Sequence, residues 1–317
     1  MDPAIFLNEF QKDHSIVFTR RNWIQSVAFA GLGSSMTSSA RSAQNQRVAT
    51  QSLKWRHFEL RTQIKVLDVQ GMTQVWLPVP DLDTDYQRTL SLEWSGNASQ
   101  VRLVSDWNSQ VRMLHAQFDR SETRPELNLL AVVQTRDRFT EWQSPRSSIQ
   151  ADSAELRRHL QPTALLPTHG IVRETALKIT QGARSDLDQV KAIYNWLLVN
   201  AHREPQTRGC GTGDIQSMLE TGQLSGKCAD LNALFVGLCR ASGVPARDVY
   251  GLRLAPSAQG YRELGAASTN LKGAQHCRAE VWLAHHGWTA MDPADVLKVM
   301  RQETPEWIKD PKHDRVA

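Results

Sequence analysis

Two spacings of apolar residues divide the chain. Between Leu53 and Trp142, Phe58, Leu60, Ile64 and Val66 alternate with polar neighbours, and strand-like runs follow at Val75 to Val79, Leu90 to Trp94, Val111 to Phe118 and Leu127 to Val133. A period of two with turn residues between the runs is the pattern of strands with one buried face. It predicts an antiparallel β-sandwich over residues 53–142. Pro78 and Pro80 mark an edge or a strand end there, because proline has no N–H for a central ladder. Support of its neighbour, rather than carbohydrate capture, is the role expected of this domain.

Beyond residue 151 the period lengthens to that of a helix. Ser185 caps a segment in which Leu187, Val190, Ile193, Tyr194 and Leu197 share a face. Leu231, Leu234, Phe235, Leu238 and Cys239 recur at i, i+3, i+4, i+7 and i+8, and Gly243 with Pro245 ends that second helix. The two helices are expected to pack side by side. Gln275 to Leu283 reads as a strand, His285-His286-Gly287 as a turn, and Trp288 to Asp292 as the return strand, which Pro293 terminates. A linker over 143–163 contains a Ser-, Pro- and Gln-rich stretch, then a short helix from Asp152 to Leu160. The sequence shows no internal repeat, and residues 301–317 read as a poorly packed tail. The fold class is α+β, with a helix packed on an antiparallel sheet.

Candidate chemistry falls on that second part. Cys228 opens its helix in Gly226-Lys227-Cys228-Ala229-Asp230-Leu231. Unpaired amides and the helix dipole at such a start favour a thiolate, and an imidazolium partner favours it further. His276 stands at the start of the predicted strand, and the hairpin returns Asp292 towards it. A carboxylate there fixes the imidazole tautomer and stabilises its charged form. Attack by a thiolate also needs oxyanion donors. The backbone amide of Cys228 is the first of these; Gln223 is the side chain best placed in sequence, ahead of Asn195 and Trp196. Asp230 reads as a first-turn carboxylate suited to the dipole. Cys239 lies on the apolar stripe, and Cys277 is expected to face away from His276 because strand side chains alternate. Both read as structural. Cys210, in the loop Arg208-Gly209-Cys210-Gly211-Thr212-Gly213, is left open between a surface thiol, a disulfide partner and a substrate-loop residue. No Cys-x-x-Cys or His-rich spacing indicates a metal site, the glycine loop lacks the Lys-Ser or Lys-Thr ending of a phosphate loop, and no cofactor is expected.

From about Ala164 to Val299 these motifs resemble the transglutaminase-like superfamily. Three features carry the resemblance: Gly-x-Cys-x-Asp with its helix and Ser242-Gly243-Val244-Pro245-Ala246-Arg247 ending, His276-x-x-x-Glu280, and Gly287-Trp288-x-x-x-Asp292-Pro293. The resemblance implies a papain-like core over residues 164–300, with Cys228 as nucleophile, His276 as general base and acid, and Asp292 as orienting carboxylate. It also implies acyl transfer from a peptide or carboxamide through a thioester; the sequence does not decide between water and an amine as acceptor, and hydrolysis is favoured over transamidation as the outcome that demands less of the pocket. Many members carry an aromatic residue two places after the histidine; Arg278 stands there instead, which bears on substrate preference. The calcium dependence of animal transglutaminases finds no acidic cluster here. The competing readings are a non-catalytic peptide- or envelope-binding module that retains the fold, and an envelope protein whose β-domain does the work.

Composition adds location. Thr19-Arg20-Arg21-Asn22-Trp23-Ile24, then a weakly apolar run from Ser26 to Leu32 and small residues to Ala40, resembles a twin-arginine export signal over residues 1–40. Cleavage is expected near Ala40 or Ala43, giving a periplasmic or otherwise exported protein that has met the twin-arginine machinery. No apolar stretch reaches the roughly 20 residues of a membrane span, so stable membrane insertion is not expected. Four cysteines in 317 residues are too few for a disulfide scaffold. The formal charge of +4, from 37 basic and 33 acidic residues, is evenly spread and suits an anionic envelope surface. Without a basic cluster interleaved with aromatics it gives no nucleic-acid partner. A peptide or protein substrate, possibly of the cell envelope, is the partner expected.

Overall fold

The computed structural model describes residues 54–106, 111–142, 149, 152–257, 260–265, 271 and 273–303, together with the backbone of Ile16 and Val17. The arginine pair, the expected cleavage region, most of the Ser/Pro/Gln stretch and the tail from residue 304 lie outside the described residues. The chain divides into two compact units, one running to Phe139 and the other from Thr140, with 268–272 counted in the first.

The first unit contains β1 (Ile16–Val17), β2 (Arg56–Lys65), β3 (Thr73–Pro78), β4 (Gln87–Gly96), β5 (Gln100–Ser105), β6 (Arg112–Phe118) and β7 (Glu126–Thr135). They form two antiparallel sheets in the orders β1-β2-β7-β4 and β3-β6-β5. Alternation sets the faces: Leu127, Leu129, Ala131 and Val133 of β7 are buried while their neighbours are half-exposed. Ile64, Leu127 and Leu129 from one sheet share a core with Val75, Leu77, Leu114 and Phe118 from the other. That is a β-sandwich. Pro78 ends β3, an edge strand, where a missing N–H leaves no ladder partner unmet. The pattern did not announce β5, a six-residue strand whose apolar positions are only half-buried.

The second unit contains α1 (Ser153–Arg158), α2 (Gly170–Ile179), α3 (Asp186–Asn200), β8 (His202–Arg203), α4 (Ile215–Thr221), β9 (Ser225–Gly226), α5 (Cys228–Ser242), β10 (Ala246–Leu252), β11 (Gln275–Leu283), β12 (Gly287–Met291) and α6 (Pro293–Gln302). Helix α5 is its axis. It touches α2, α3 and α4, the β10 and β11 strands, and α6. The expected single apolar stripe is therefore too narrow a description, because thirteen of its fifteen residues are buried. Gly237 explains how α4 comes so close: a β-carbon there would stand 2.1 Å from Ile215 Cδ1. The Ser185 hydroxyl caps α3 by accepting from the Asp188 amide at 3.2 Å, and Tyr194 meets Phe235 of α5 edge-on at 5.9 Å. Gly243 closes α5 in a left-handed conformation.

Strands β10, β11 and β12 form an antiparallel sheet in that order. Its register pairs Leu252 with Gln275 and Ala279 with Met291. The hairpin thus delivers the chain, just past β12, to the level of His276. Asp292 does more than end a strand: it caps α6, with Pro293 in the first helical turn, where proline's missing N–H would have no partner anyway.

Candidate active site

Three elements meet at the N-terminus of α5. Cys228 is the first residue of that helix, His276 the second of β11, and Asp292 the cap of α6. The structure brings the three side chains together. His276 Nε2 lies 2.6 Å from Asp292 Oδ2, and the Cys228 thiol is close enough to help raise the histidine's pKa. One ring nitrogen is thereby committed to the carboxylate, leaving the other for sulfur.

Asn232 locks this arrangement. One turn beyond Cys228 and wholly buried, it donates to the Cys277 carbonyl at 2.5 Å and to Asp292 Oδ1 at 3.2 Å. Its own oxygen accepts from the Ala294 amide at 3.4 Å. A single amide therefore ties α5, β11 and α6 together, and it satisfies the second oxygen of Asp292 alongside the Asp295 amide at 3.1 Å. Asp295 supplies a second carboxylate 3.6 Å from His276 Nε2, itself bonded to the Arg253 guanidinium. Burial and the Asp292 charge raise the Asp295 pKa. Neither Asn232 nor Asp295 was singled out in the sequence, although i+4 from the cysteine and three residues past the capping aspartate are readable positions.

The electrostatics favour an ion pair. Hydrogen bonds from Cys210 and Cys277, with His276 and the Cys277 backbone, hold the Cys228 thiol far below the ordinary range despite its burial. Burial alone would lower His276, but hydrogen bonds to Asp292 and Cys228 and the charges of Asp292 and Asp295 raise it to about 9. Both shifts favour thiolate and imidazolium near neutrality.

Of the other cysteines, Cys239 lies in the core as expected, whereas Cys277 and Cys210 stand nearer the site than the sequence suggested. All four are free thiols, and Cys239 is fully buried, with burial raising its pKa. Cys277 faces the core together with Ala279, Val281 and Leu283, so strand alternation holds. That face, however, is the one on which α5 lies, and it points Cys277 at Cys228 rather than away from it. With half-buried Cys210, the three sulfurs stand within 4.8 Å of one another. A second group, His276, Asp292 and Asp295, is equally close.

Asp230 is more than a first-turn charge. Its Oδ1 accepts from the amides of Thr212 and Gly213, both at 2.9 Å, and Oδ2 from Lys227 at 3.0 Å. The Cys210 carbonyl accepts from the Ala229 amide at 2.9 Å. The glycine loop is thus pinned to the start of α5. Gly211, at φ 102°, has no room for a side chain, since a β-carbon would stand 1.9 Å from the Asp230 carboxylate. Gly222 shares the left-handed conformation, at φ 70°, but has nothing within 4 Å. Gly222→Ala is expected to cost about 1–2 kcal/mol in backbone strain alone. Gly211→Ala is expected to cost more and to free Cys210. Thermal midpoints and the alkylation rate of Cys210 in the two variants check this.

Gln223 is exposed on the wall of a cavity of about 350 Å³ with Thr212, Ser217 and Asp230, and that lining includes neither Cys228 nor His276. Asn195 is exposed, and Trp196 packs against the core. From α3 it is instead Tyr194 that senses the site: burial, with the charges of Asp292 and Asp295, raises its hydroxyl pKa.

Residues 173–293 match the transglutaminase-like superfamily profile. An uncharacterized protein of Haemophilus influenzae is 34% identical over 262 residues, covering 78% of this chain and 70% of that protein. The uncharacterized protein YebA of Bacillus subtilis is 25% identical across 96% of this chain and 42% of its own length. Among solved structures, a candidate cysteine protease from Cytophaga hutchinsonii superposes with a TM-score of 0.58 at 18% identity, covering 76% of this chain and 77% of that one. At that identity the likeness is one of fold.

Proposed function

The chain belongs to the transglutaminase-like superfamily, and on that premise we propose that it is an exported thiol enzyme acting on peptide or carboxamide bonds. Cys228 attacks the carbonyl carbon, His276 gives its proton to the departing amine, and the acyl group stays on sulfur as a thioester. Water, giving a proton to the now neutral His276, attacks the thioester, releases the acid and restores the thiolate and imidazolium. Asp292 orients the imidazole. The Cys228 backbone amide takes the oxyanion, and Gln223, on the wall of the neighbouring cavity, is the side-chain donor in this reading.

The observation that carries it is the 2.6 Å bond of His276 Nε2 to Asp292, at a helix start whose Cys228 thiol and His276 imidazole shift one another's pKa towards the charged forms. Export rests on the Arg20-Arg21 segment, and a cell-envelope peptide or protein follows as substrate. Among the described residues no helix is long and apolar enough to cross a membrane.

The test is the pH dependence of iodoacetamide labelling, with the modified cysteine located by mass spectrometry and peptide turnover followed in parallel. Cys228 is expected to react selectively well below pH 8.5, and less so in His276→Ala. Because His276 is raised to about 9 and must be protonated to serve the leaving amine, kcat/KM should hold through neutrality and fall as pH rises through 9. A new carboxylate, rather than an added amine, identifies water as the acceptor. Slow labelling of Cys228 that ignores His276 would sink the ion pair and favour the binding module.

A further inference from the structure

The proposed reaction needs one thiol and one imidazole, yet three sulfurs converge at the start of α5. Cys210, Cys228 and Cys277 lie within 4.8 Å of one another, all reduced. They come from three separate elements, each fixed independently of the sulfurs. The Cys210 loop is held by Asp230 and by the Ala229 amide. Cys228 sits in the first turn of a buried helix. The Cys277 backbone is held by the Asn232 amide at 2.5 Å. The cluster is therefore preorganised, and half-buried Cys210 gives it an open edge while Cys228 and Cys277 are buried.

Thiolate sulfurs bind zinc(II) at about 2.3 Å, which in tetrahedral or trigonal geometry spaces them roughly 4 Å apart. Copper(I) shares the preference for soft sulfur donors. We infer that Cys210, Cys228 and Cys277 form a binding site for a thiophilic d10 cation, zinc(II) or copper(I), in which the nucleophile itself is a ligand. Cys210 and Cys277 each give up a proton to solvent on binding, Cys228 binds as the thiolate of its ion pair, and the metal occupies the electron pair that would otherwise attack a carbonyl. Metal loading and acyl transfer are then mutually exclusive, so the ion acts as a reversible inhibitor of the same site. This rests on the thiol-enzyme reading only for its consequence; binding itself does not depend on turnover.

The experiment uses the reduced full chain, titrated separately with zinc(II) and with copper(I) under argon, with bound metal quantified by mass spectrometry and competition against a chromophoric chelator. Cobalt(II) serves as a spectroscopic stand-in for zinc. One equivalent per chain, a sulfur-to-cobalt charge-transfer band, and protection of both Cys210 and Cys228 from alkylation are expected. Cys210→Ser and Cys277→Ser should each weaken binding at least as much as the roughly 10- to 100-fold that loss of an outer-shell partner costs. Should a serine variant fold poorly, metal protection of Cys210 in the unaltered chain decides the matter. Saturable binding that ignores both serine variants would assign the ion to His276, Asp292 and Asp295 and overturn the proposal. So would substoichiometric binding, or conversion of the cluster to a disulfide as its only response to metal. Tight binding by a chain that turns over no peptide would leave this site standing and remove the reaction instead.

Discussion

Cys228→Ser is expected to lower kcat/KM on a peptide carboxamide by roughly 10⁶-fold, the scale on which loss of a nucleophile acts when it works as a unit with its base. In the proposed ion pair the thiol is already ionised, so the imidazole starts as the acid that the leaving amine requires. A hydroxyl in its place stays protonated, and His276 must then remove a proton before it can supply one. The pair Cys228–His276 changes role together, so His276→Ala should cost nearly as much, and the double variant scarcely more than either single one. Steady-state kinetics on the three variants, with circular dichroism to confirm folding, measures that non-additivity. Losses that add, or a serine variant within about 100-fold of the parent, would remove Cys228 from the covalent step.

The fold was legible where one period dominated. Alternation found β2, β3, β4, β6 and β7, and the Ser185 cap with its apolar face found α3. What escaped were α2, α4 and α6, of seven to ten residues, and the strands β5, of six, and β10, of seven. Helices of that length owe their stability to packing more than to propensity, so their signal lies in partners far along the chain. Gly237 is an example: only the approach of Ile215 makes its missing side chain meaningful.

At the site, the order Cys228, His276, Asp292 was readable because each residue sits at an element boundary with a strong local marker. The glycine before the helix, the strand onset and the proline after the aspartate are such markers. The thiol cluster was not readable. Alternation correctly separated Cys277 from His276, but which face α5 covers is a tertiary fact, and it puts Cys277, read as merely structural, beside Cys228. Likewise the Asp230 clamp joins residues 17 and 18 positions apart through backbone amides, which leave no trace in side-chain chemistry.

One motif residue acts through stability. Glu280, whose side chain is 0% exposed, accepts from Arg247 Nε at 2.9 Å and stands 2.8 Å from Arg247 Nη2. Arg247 also stacks on Trp288, 4.0 Å from the ring centroid, and reaches Glu155 at 3.2 Å, so one guanidinium joins α1, β10, β11 and β12. The Arg247 that follows the α5 ending and the Glu280 four residues after the histidine are thus one forked ion pair. Removing one member of a buried pair strands the other charge, which typically costs about 3–5 kcal/mol. Glu280→Leu is expected to lose that much in urea unfolding, with a lower midpoint and an unchanged slope. Glu155 limits the loss, since it keeps a partial partner for Arg247, but at 34% exposure it cannot replace a fully desolvated carboxylate. Asp81→Ala, which breaks the 2.6 Å pair with Arg112, is the internal comparison: those side chains are 33% and 36% exposed, and about 1 kcal/mol or less is expected. Because Glu280 and His276 share β11, the Glu280 variant should also slow Cys228 labelling near neutral pH, as the strand carrying the imidazole loses its anchor. Equal losses in the two variants would mean that Glu280 contributes no more than a surface charge.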